Sequence, residues 1–148
     1  MLQKILVPLD GSQLAEQALP YAEALARQFQ GQLTFLWVIQ PPILTAEYGD
    51  MAIYDAAMTR TEMEAQQYLN HLQELYRQRD IPSRTMIVTN PSAAEAIVEV
   101  ATEEKADVIV KTTHGRSGFS RWLFGSVATK VLQEAPCPVF LVRIKKED

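Results

Sequence analysis

The segment from His114 to Ser126 contains the residue types that bind anions. Gly115, Gly118 and Gly125 lack a Cβ atom, so backbone N–H groups there can approach phosphate oxygens closely. Gly125 and Ser126 can present N–H groups and a hydroxyl at a helix start, where the helix dipole favours negative charge. Glycines at a strand-to-helix turn also occur for geometric reasons, so the spacing leaves both interpretations open.

The distribution of charge along the chain favours the anion. The chain has 18 acidic and 14 basic residues and a formal net charge of −4. No acidic residue lies between Asp107 and Glu134, whereas four basic residues do: Lys111, Arg116, Arg121 and Lys130. This interval predicts a local positive field. It is not a Walker A loop, since no Gly-Lys-Ser/Thr follows the glycines, and no G-x-G-x-x-G follows the first apolar run.

The sequence predicts no catalytic residue and no metal ligand. His114 could act as a general base, but no serine, cysteine or carboxylate relay partner is identifiable, which favours a structural role. The single cysteine, Cys137, lies between two prolines and is interpreted as a small buried residue. One cysteine excludes an internal disulfide, and no Cys/His cluster has the spacing of a metal site.

Five short apolar runs alternate with helical patterns. The runs predict buried strands at 5–9, 33–39, 84–88, 107–111 and 139–142. Ser12 is expected to cap a helix that Pro20 kinks and that closes at Gln30-Gly31. The segment 43–57 is expected to be a loop, followed by a helix over about 58–78. Ser92 and Glu95 predict a capping box, and a last helix is expected over about 120–133.

This order predicts one α/β domain over residues 1–148. Each buried strand is followed by a helix, which is typical of a doubly wound five-stranded parallel sheet with helices on both faces. For the strand order 3-2-1-4-5, the topological switch point lies between the first and fourth strands. Ligands bind there, outside the carboxyl ends of the strands. Those ends are Pro8-Leu9-Asp10 and the residues from Lys111 to His114.

Composition disfavours several classes of protein. A net negative charge argues against a general nucleic-acid-binding role, which usually needs a basic face. No apolar run approaches the roughly 20 residues that span a bilayer, and the N-terminus lacks the pattern of a secretory signal. We therefore expect a cytoplasmic protein with neither a membrane nor a nucleic acid as partner.

Several stretches resemble the universal stress protein family, and together they cover nearly the whole chain. They are Lys4-Ile-Leu-Val-Pro-Leu-Asp-Gly-Ser12, Trp37-Val38, Ala94-Glu-Ala-Ile97, Thr113-His-Gly-Arg-Ser-Gly118, Gly125-Ser-Val-Ala128 and Ala135-Pro-Cys-Pro-Val139. ATP-binding members of that family carry Gly-x2-Gly-x9-Gly followed by Ser or Thr. Gly115, Gly125 and Ser126 match this motif. Thr112 stands in place of the first glycine, where it could obstruct a ligand or donate a hydroxyl to it.

The resemblance implies a role for each matching residue. Asp10 would accept hydrogen bonds from ribose hydroxyls, although a turn or cap aspartate remains an alternative. The adenine would lie against Pro8, Leu9 and Val38, with Thr112 close to the ribose and phosphates. The phosphates would be surrounded by Gly115, Arg116, Gly125, Ser126 and Val127. Arg116 could equally be a solvated surface charge.

The resemblance implies a stress-response or regulatory protein that binds ATP or AMP, with or without magnesium. It also implies a homodimer formed through the last strand, from Val139 to Arg143. Any ATP hydrolysis would be slow, because no general base or arginine finger is evident. The alternative is a dimeric interaction module whose nucleotide pocket is vestigial, blocked by Thr112. A nucleotidyl-transferring or flavin-associated enzyme is disfavoured, because such enzymes need added substrate-binding segments.

Overall fold

A computed structural model of the chain describes residues 1–43, 50–114 and 125–144. Its strands are β1 (Lys4–Leu9), β2 (Gln32–Ile39), β3 (Ser83–Thr89), β4 (Val108–Thr112) and β5 (Val139–Val142). Its helices are α1 (Gln13–Glu16), α2 (Leu19–Phe29), α3 (Met51–Gln78), α4 (Ala93–Glu103) and α5 (Ser126–Glu134). The strands form one parallel sheet in the order β3-β2-β1-β4-β5, which confirms the predicted topology.

Alternate residues of the central strands enter two hydrophobic clusters on opposite faces of the sheet. On β1, Ile5 and Val7 pack against α1, α2 and α3, whereas Leu6 packs against α4 and α5. On β4, Val110 and Ile109 divide in the same way. Burial on both faces explains why these strands are continuous apolar runs, and it confirms that helices cover both faces.

The prediction of a single helix with a kink at Pro20 is wrong. Two helices, α1 and α2, take its place, and Pro20 lies in the first turn of α2. The missing N–H of proline removes no helical hydrogen bond at that position. Ser12 caps α1 as expected, accepting a hydrogen bond from the Ala15 N–H at 3.2 Å. Gln30 ends α2 in the left-handed conformation, with φ of 52°.

The long helix α3 begins earlier than predicted. Residues 51–57 are helical, whereas the sequence favoured a loop up to residue 57. Asp50 caps the helix by accepting a hydrogen bond from the Ala52 N–H at 2.8 Å. The first two turns contain no buried side chain, so their helical structure does not follow from an apolar face packed on the core.

Half of the predicted capping box on α4 is present. The Ser92 hydroxyl accepts from the Glu95 N–H at 3.2 Å, as expected. The second bond of a capping box, from the Ser92 N–H to the Glu95 carboxylate, was predicted wrongly. The Ser92 N–H donates to the side chain of Asn90 instead. The Glu95 carboxylate pairs with Lys130 on α5 at 3.2 Å.

The described part of the last predicted helix, α5, begins at Ser126. Residues 120–124 of that prediction lie outside the described residues. Within the residues that the structure describes, no helix is both long and apolar enough to cross a membrane.

Candidate functional site

The sheet opens between β1 and β4. Strand β1 pairs with β2 along its whole length, from Lys4 to Leu9. Its described pairing with β4 joins Ile5 to Val108 and Leu6 to Ile109 and extends no further. The carboxyl ends of the two strands therefore diverge at the point where the strand order reverses. This is the switch point at which doubly wound sheets bind ligands.

A cleft of about 570 Å³ occupies this opening. Its volume falls within the range of about 300–1,000 Å³ that is usual for small-molecule sites. The cleft brings together eight of the residues singled out from the sequence: Pro8, Leu9, Asp10, Val38, Thr112, Gly125, Ser126 and Val127. The other two, Gly115 and Arg116, lie outside the described residues.

The apolar residues that line the cleft, here called the apolar slot, come from β1, β2 and α4. Pro8 and Leu9 end β1, and Val38 lies beside them near the end of β2. Leu36 and Ile97, which the sequence analysis did not single out, complete the slot from β2 and α4. Sequence reasoning missed these two because a buried core position and a ligand-facing position look the same in an apolar run.

Asp10 lies at the mouth of the cleft, directly after β1. One carboxylate oxygen accepts a hydrogen bond from the Ser12 N–H at 2.9 Å, which forms the turn into α1. The turn role considered for Asp10 is therefore present. Because Asp10 also lines the cleft, its role in the turn is compatible with a role in ligand binding.

The turn after β4 is held by hydrogen bonds of its own residues. The Thr112 side chain is buried, with 3 % of its surface exposed, and its hydroxyl donates to the His114 carbonyl at 2.5 Å. His114 is also buried, and its Nδ1 lies 3.1 Å from the Thr113 hydroxyl. The Thr112 hydroxyl is thus engaged with the backbone, while the residue still occupies part of the cleft wall.

The N-terminus of α5 faces the same cleft. The Gly125 N–H donates to the Thr113 carbonyl at 2.9 Å, so it does not serve as the free donor expected from the sequence. The first helical bond runs from the Thr129 N–H to the Gly125 carbonyl. The N–H groups of residues 126–128 therefore have no acceptor within the helix. These three residues line the cleft, where the helix dipole favours an anion.

Gly125 is favoured by the close approach of two backbones. A Cβ atom at this position would lie 3.2 Å from the Thr113 carbonyl oxygen. Its φ of −57° is accessible to any residue, so space rather than conformation favours glycine.

Lys111, one of the basic residues of the acid-free interval and of the strand ends at the switch point, was given no role in nucleotide binding, yet it lines the cleft. It is the last residue but one of β4 and lines the cleft with only 7 % of its surface exposed. Its Nζ donates to the Thr112 carbonyl at 2.7 Å. Burial lowers the pKa of this amine to about 8, and the nearby Asp10 carboxylate partly opposes that shift. The sequence placed this lysine at the carboxyl end of the fourth strand but did not indicate that its side chain is buried.

The other basic residues of the acid-free interval differ from Lys111. Lys130 pairs with Glu95 across α4 and α5, so its charge is largely compensated. Arg116 and Arg121 lie outside the described residues. Among the four basic residues that predicted a positive field, Lys111 is the one that lines the cleft in the described part of the chain.

Comparison with known proteins gives a consistent result. The model of the universal stress protein family matches residues 1–143. A universal stress protein of Thermus aquaticus is 32% identical over 97% of this chain and 100% of its own length. The solved structure of the protein MJ0577 superposes with a TM-score of 0.86 at 26% identity, covering 99% of both chains. A universal stress protein in complex with cAMP superposes with a TM-score of 0.63 at 23% identity, covering 97% and 98%. The fold, the motif residues and these matches together establish that the chain belongs to the universal stress protein family.

Proposed function

We propose that this chain is a cytoplasmic regulatory protein that binds an adenine nucleotide, ATP or AMP, in the cleft between β1 and β4. The observation that carries the proposal is the make-up of that cleft. An apolar slot, an acidic residue and the N-terminus of α5 surround one opening at the switch point of the sheet. These are the three environments that an adenine, a ribose and a phosphate require.

Each part of the ligand has a matching surface. The adenine lies in the slot of Pro8, Leu9 and Val38, where apolar contact with a flat ring is favourable. The ribose hydroxyls donate to the Asp10 carboxylate. The phosphates lie against the N–H groups and hydroxyl at the start of α5, with Gly115 and Arg116 completing the group. Magnesium, when present, arrives bound to the phosphates of ATP.

Calorimetric titration with ATP, ADP, AMP and cAMP, each with and without magnesium, tests the proposal. cAMP belongs in the series because a protein of the same fold has been solved with it. At a nucleotide concentration one hundred times the dissociation constant, binding stabilises the fold by about 2.7 kcal/mol. A thermal-shift series detects a change of that size. If none of the four nucleotides gives a heat of binding or a shift of the unfolding temperature, the proposal is wrong.

A vestigial pocket is the second candidate, favoured by the side chain of Thr112 in the wall of the cleft. Under this hypothesis the chain acts as an interaction module and takes no nucleotide. The same titrations separate the two candidates. A wild-type chain that fails to bind while Thr112→Gly binds identifies the side chain as the block.

We further propose that the chain acts as a homodimer through the last strand, Val139 to Arg143, with at most slow ATP hydrolysis. In the described sheet β5 is an edge, paired with β4 on one side. Phe140 on this strand is 39 % exposed and contacts the ring of Tyr21, with centroids 5.6 Å apart. A second copy paired there would cover this apolar edge. Slow hydrolysis is checked by phosphate release under saturating ATP.

A further inference from the structure

Lys111 forms no ion pair within the described part of the protein, although the charge of Asp10 acts on it. More than nine-tenths of its side-chain surface is buried in the wall of the cleft. An ammonium group has three donors, and the described structure gives Nζ one acceptor, the Thr112 carbonyl. Within residues 1–43, 50–114 and 125–144, no carboxylate forms an ion pair with it.

A buried charge is costly unless it is paired. Lys111 is placed where a ligand rather than a side chain can supply the partner, because the residue lines an open cleft. The start of α5 borders the same cleft with the N–H groups of Ser126 and Val127. Two independent sources of positive potential therefore belong to the lining of one cleft, a buried ammonium from β4 and a helix N-terminus.

We propose that Lys111 is a phosphate-binding residue that makes the cleft select phosphorylated ligands over the free nucleoside. This inference rests on the proposed function and deepens it. It assigns the selection of phosphate to a side chain that lies outside the Gly-x2-Gly-x9-Gly-Ser motif. The amine donates to phosphate oxygens alongside the N–H groups of α5.

The other titratable groups near Lys111 set the orientation of the ligand. Those that line the cleft are Asp10 after β1, Glu64 on α3 and His114 after β4. On neighbouring helices, Glu16 accepts from the Tyr68 hydroxyl, and Glu95 pairs with Lys130. The two cleft carboxylates repel a phosphate, whereas Lys111 and the start of α5 attract it. Asp10 also acts on the charge of Lys111, so it orients the ligand by repelling the phosphate while it accepts hydrogen bonds from the ribose.

Phosphate binding by Lys111 must depend on pH. The anion binds the protonated amine, and the pKa of Lys111 in the protein is about 8. As the pH rises above this value, the amine loses its proton, and the affinity for ATP and AMP falls. Adenosine has no phosphate, so its affinity stays constant over the same range.

Two substitutions of Lys111 and a matched control test the proposal. Lys111→Met removes the charge at similar length, and Lys111→Arg keeps a charge that persists above pH 12. Lys105→Met makes the same charge change at an exposed position before β4, at the opposite end of the strand. Each variant is titrated with ATP, AMP, adenosine and inorganic tripolyphosphate at pH 7 and pH 9. Urea unfolding confirms that each variant is folded.

We expect Lys111→Met to bind ATP, AMP and tripolyphosphate about ten- to a hundredfold more weakly, the usual effect of losing a charge-assisted hydrogen bond. Its affinity for adenosine should equal that of the wild type. Lys105→Met should match the wild type throughout. The wild type should bind ATP more weakly at pH 9 than at pH 7, whereas Lys111→Arg should retain its affinity.

Three results would overturn the proposal. One is unchanged ATP affinity in Lys111→Met, and another is an equal loss for ATP and adenosine, which would make Lys111 a packing residue. The third is a wild type that binds neither nucleotides nor tripolyphosphate. If the wild type binds tripolyphosphate through Lys111 but no adenine compound, the phosphate inference stands and the proposed nucleotide function fails.

Discussion

Thr112 has two opposing effects, and replacing it with glycine separates them. Thr112→Gly removes a side chain from the cleft wall, so we expect ATP to bind about fivefold more tightly, equivalent to one recovered hydrogen bond. The same change removes the bond from the Thr112 hydroxyl to the His114 carbonyl. We therefore expect the unfolding free energy to fall by about 1–2 kcal/mol. Calorimetry and urea unfolding measure the two quantities separately.

Thr112→Ser is the matched control, because it keeps the hydroxyl and removes only the methyl group. Its stability should stay close to that of the wild type. If ATP affinity is the same in the wild type and in Thr112→Gly, the side chain does not face the ligand.

Gly125→Val should abolish nucleotide binding. The valine Cβ would lie 3.2 Å from the Thr113 carbonyl oxygen, and its two methyl groups need still more room. The start of α5 would have to move away from the end of β4, which displaces the N–H groups of the cleft. Isothermal titration with ATP measures the loss, and circular dichroism confirms folding. Gly125→Ala adds the Cβ alone and should weaken binding less. Equal affinity in all three proteins would place the phosphates elsewhere.

Among the secondary-structure elements, α5 offers a test through its first backbone N–H. Ser126→Pro deletes that N–H, and helices accept proline at this position. The preceding residue, Gly125, has ψ of 155°, which suits the residue before a proline. We expect the helix to form normally and ATP to bind at least about tenfold more weakly, because a donor to an anion is lost.

Ser126→Ala separates the two donors of Ser126, since it removes the hydroxyl and keeps the N–H. Titration with ATP compares the three proteins, and thermal unfolding monitors the helix. Wild-type affinity in Ser126→Pro would mean that this N–H does not contact the phosphate.

Strands β1 and β4 are joined at their amino ends by one carboxylate. Asp107 accepts hydrogen bonds from the N–H groups of Lys4 at 2.9 Å and Gln3 at 3.0 Å. These bonds, chiefly that of Lys4, hold the pKa of Asp107 below its usual 3.8. The stability they contribute is therefore present above that value and lost as the pH falls through the lowered pKa.

Asp107→Asn keeps a side-chain oxygen that can accept the two hydrogen bonds, but it removes the ionisable carboxyl group. We expect the wild type to lose more stability than this variant when the pH falls from 5 to 2.5. Urea unfolding at several pH values measures the difference. Parallel curves for the two proteins would show that Asp107 does not contribute this pH dependence.

The elements differ in how far the sequence could predict them. The five strands were predicted to within one residue at each end, because each contains a short apolar run, which in β1, β2 and β4 reflects burial by the sheet's central position. The start of α3 and the division at Pro20 were not predicted, because each depends on capping and on exposure rather than on periodicity. The opening between β1 and β4 followed from the strand order, as the topological rule requires. The burial of Lys111 did not, because it depends on how α4 and α5 cover the strand.

On the scale of the whole molecule, the proposed dimer depends on the β5 edge. Phe140→Glu places a charge on the exposed apolar side chain of this strand and should convert the dimer to a monomer. Met63→Glu, on a helix that packs against β2 and β3, is the matched control and should leave the dimer intact. Sedimentation velocity measures the mass of each protein. A monomeric wild type, or a dimeric Phe140→Glu, would contradict this interface.

The sheet is held at its centre by a short seam, Ile5 and Leu6 against Val108 and Ile109, and above this seam its two halves part. A molecule lying in the gap touches both halves and joins what the backbone leaves open. The ligand would then fill space between the two halves of the sheet and make contacts that the protein alone does not make. We therefore expect the proposed ligand to restrain the relative motion of the two halves, so that a partner contacting both halves would respond to the ligand without touching it.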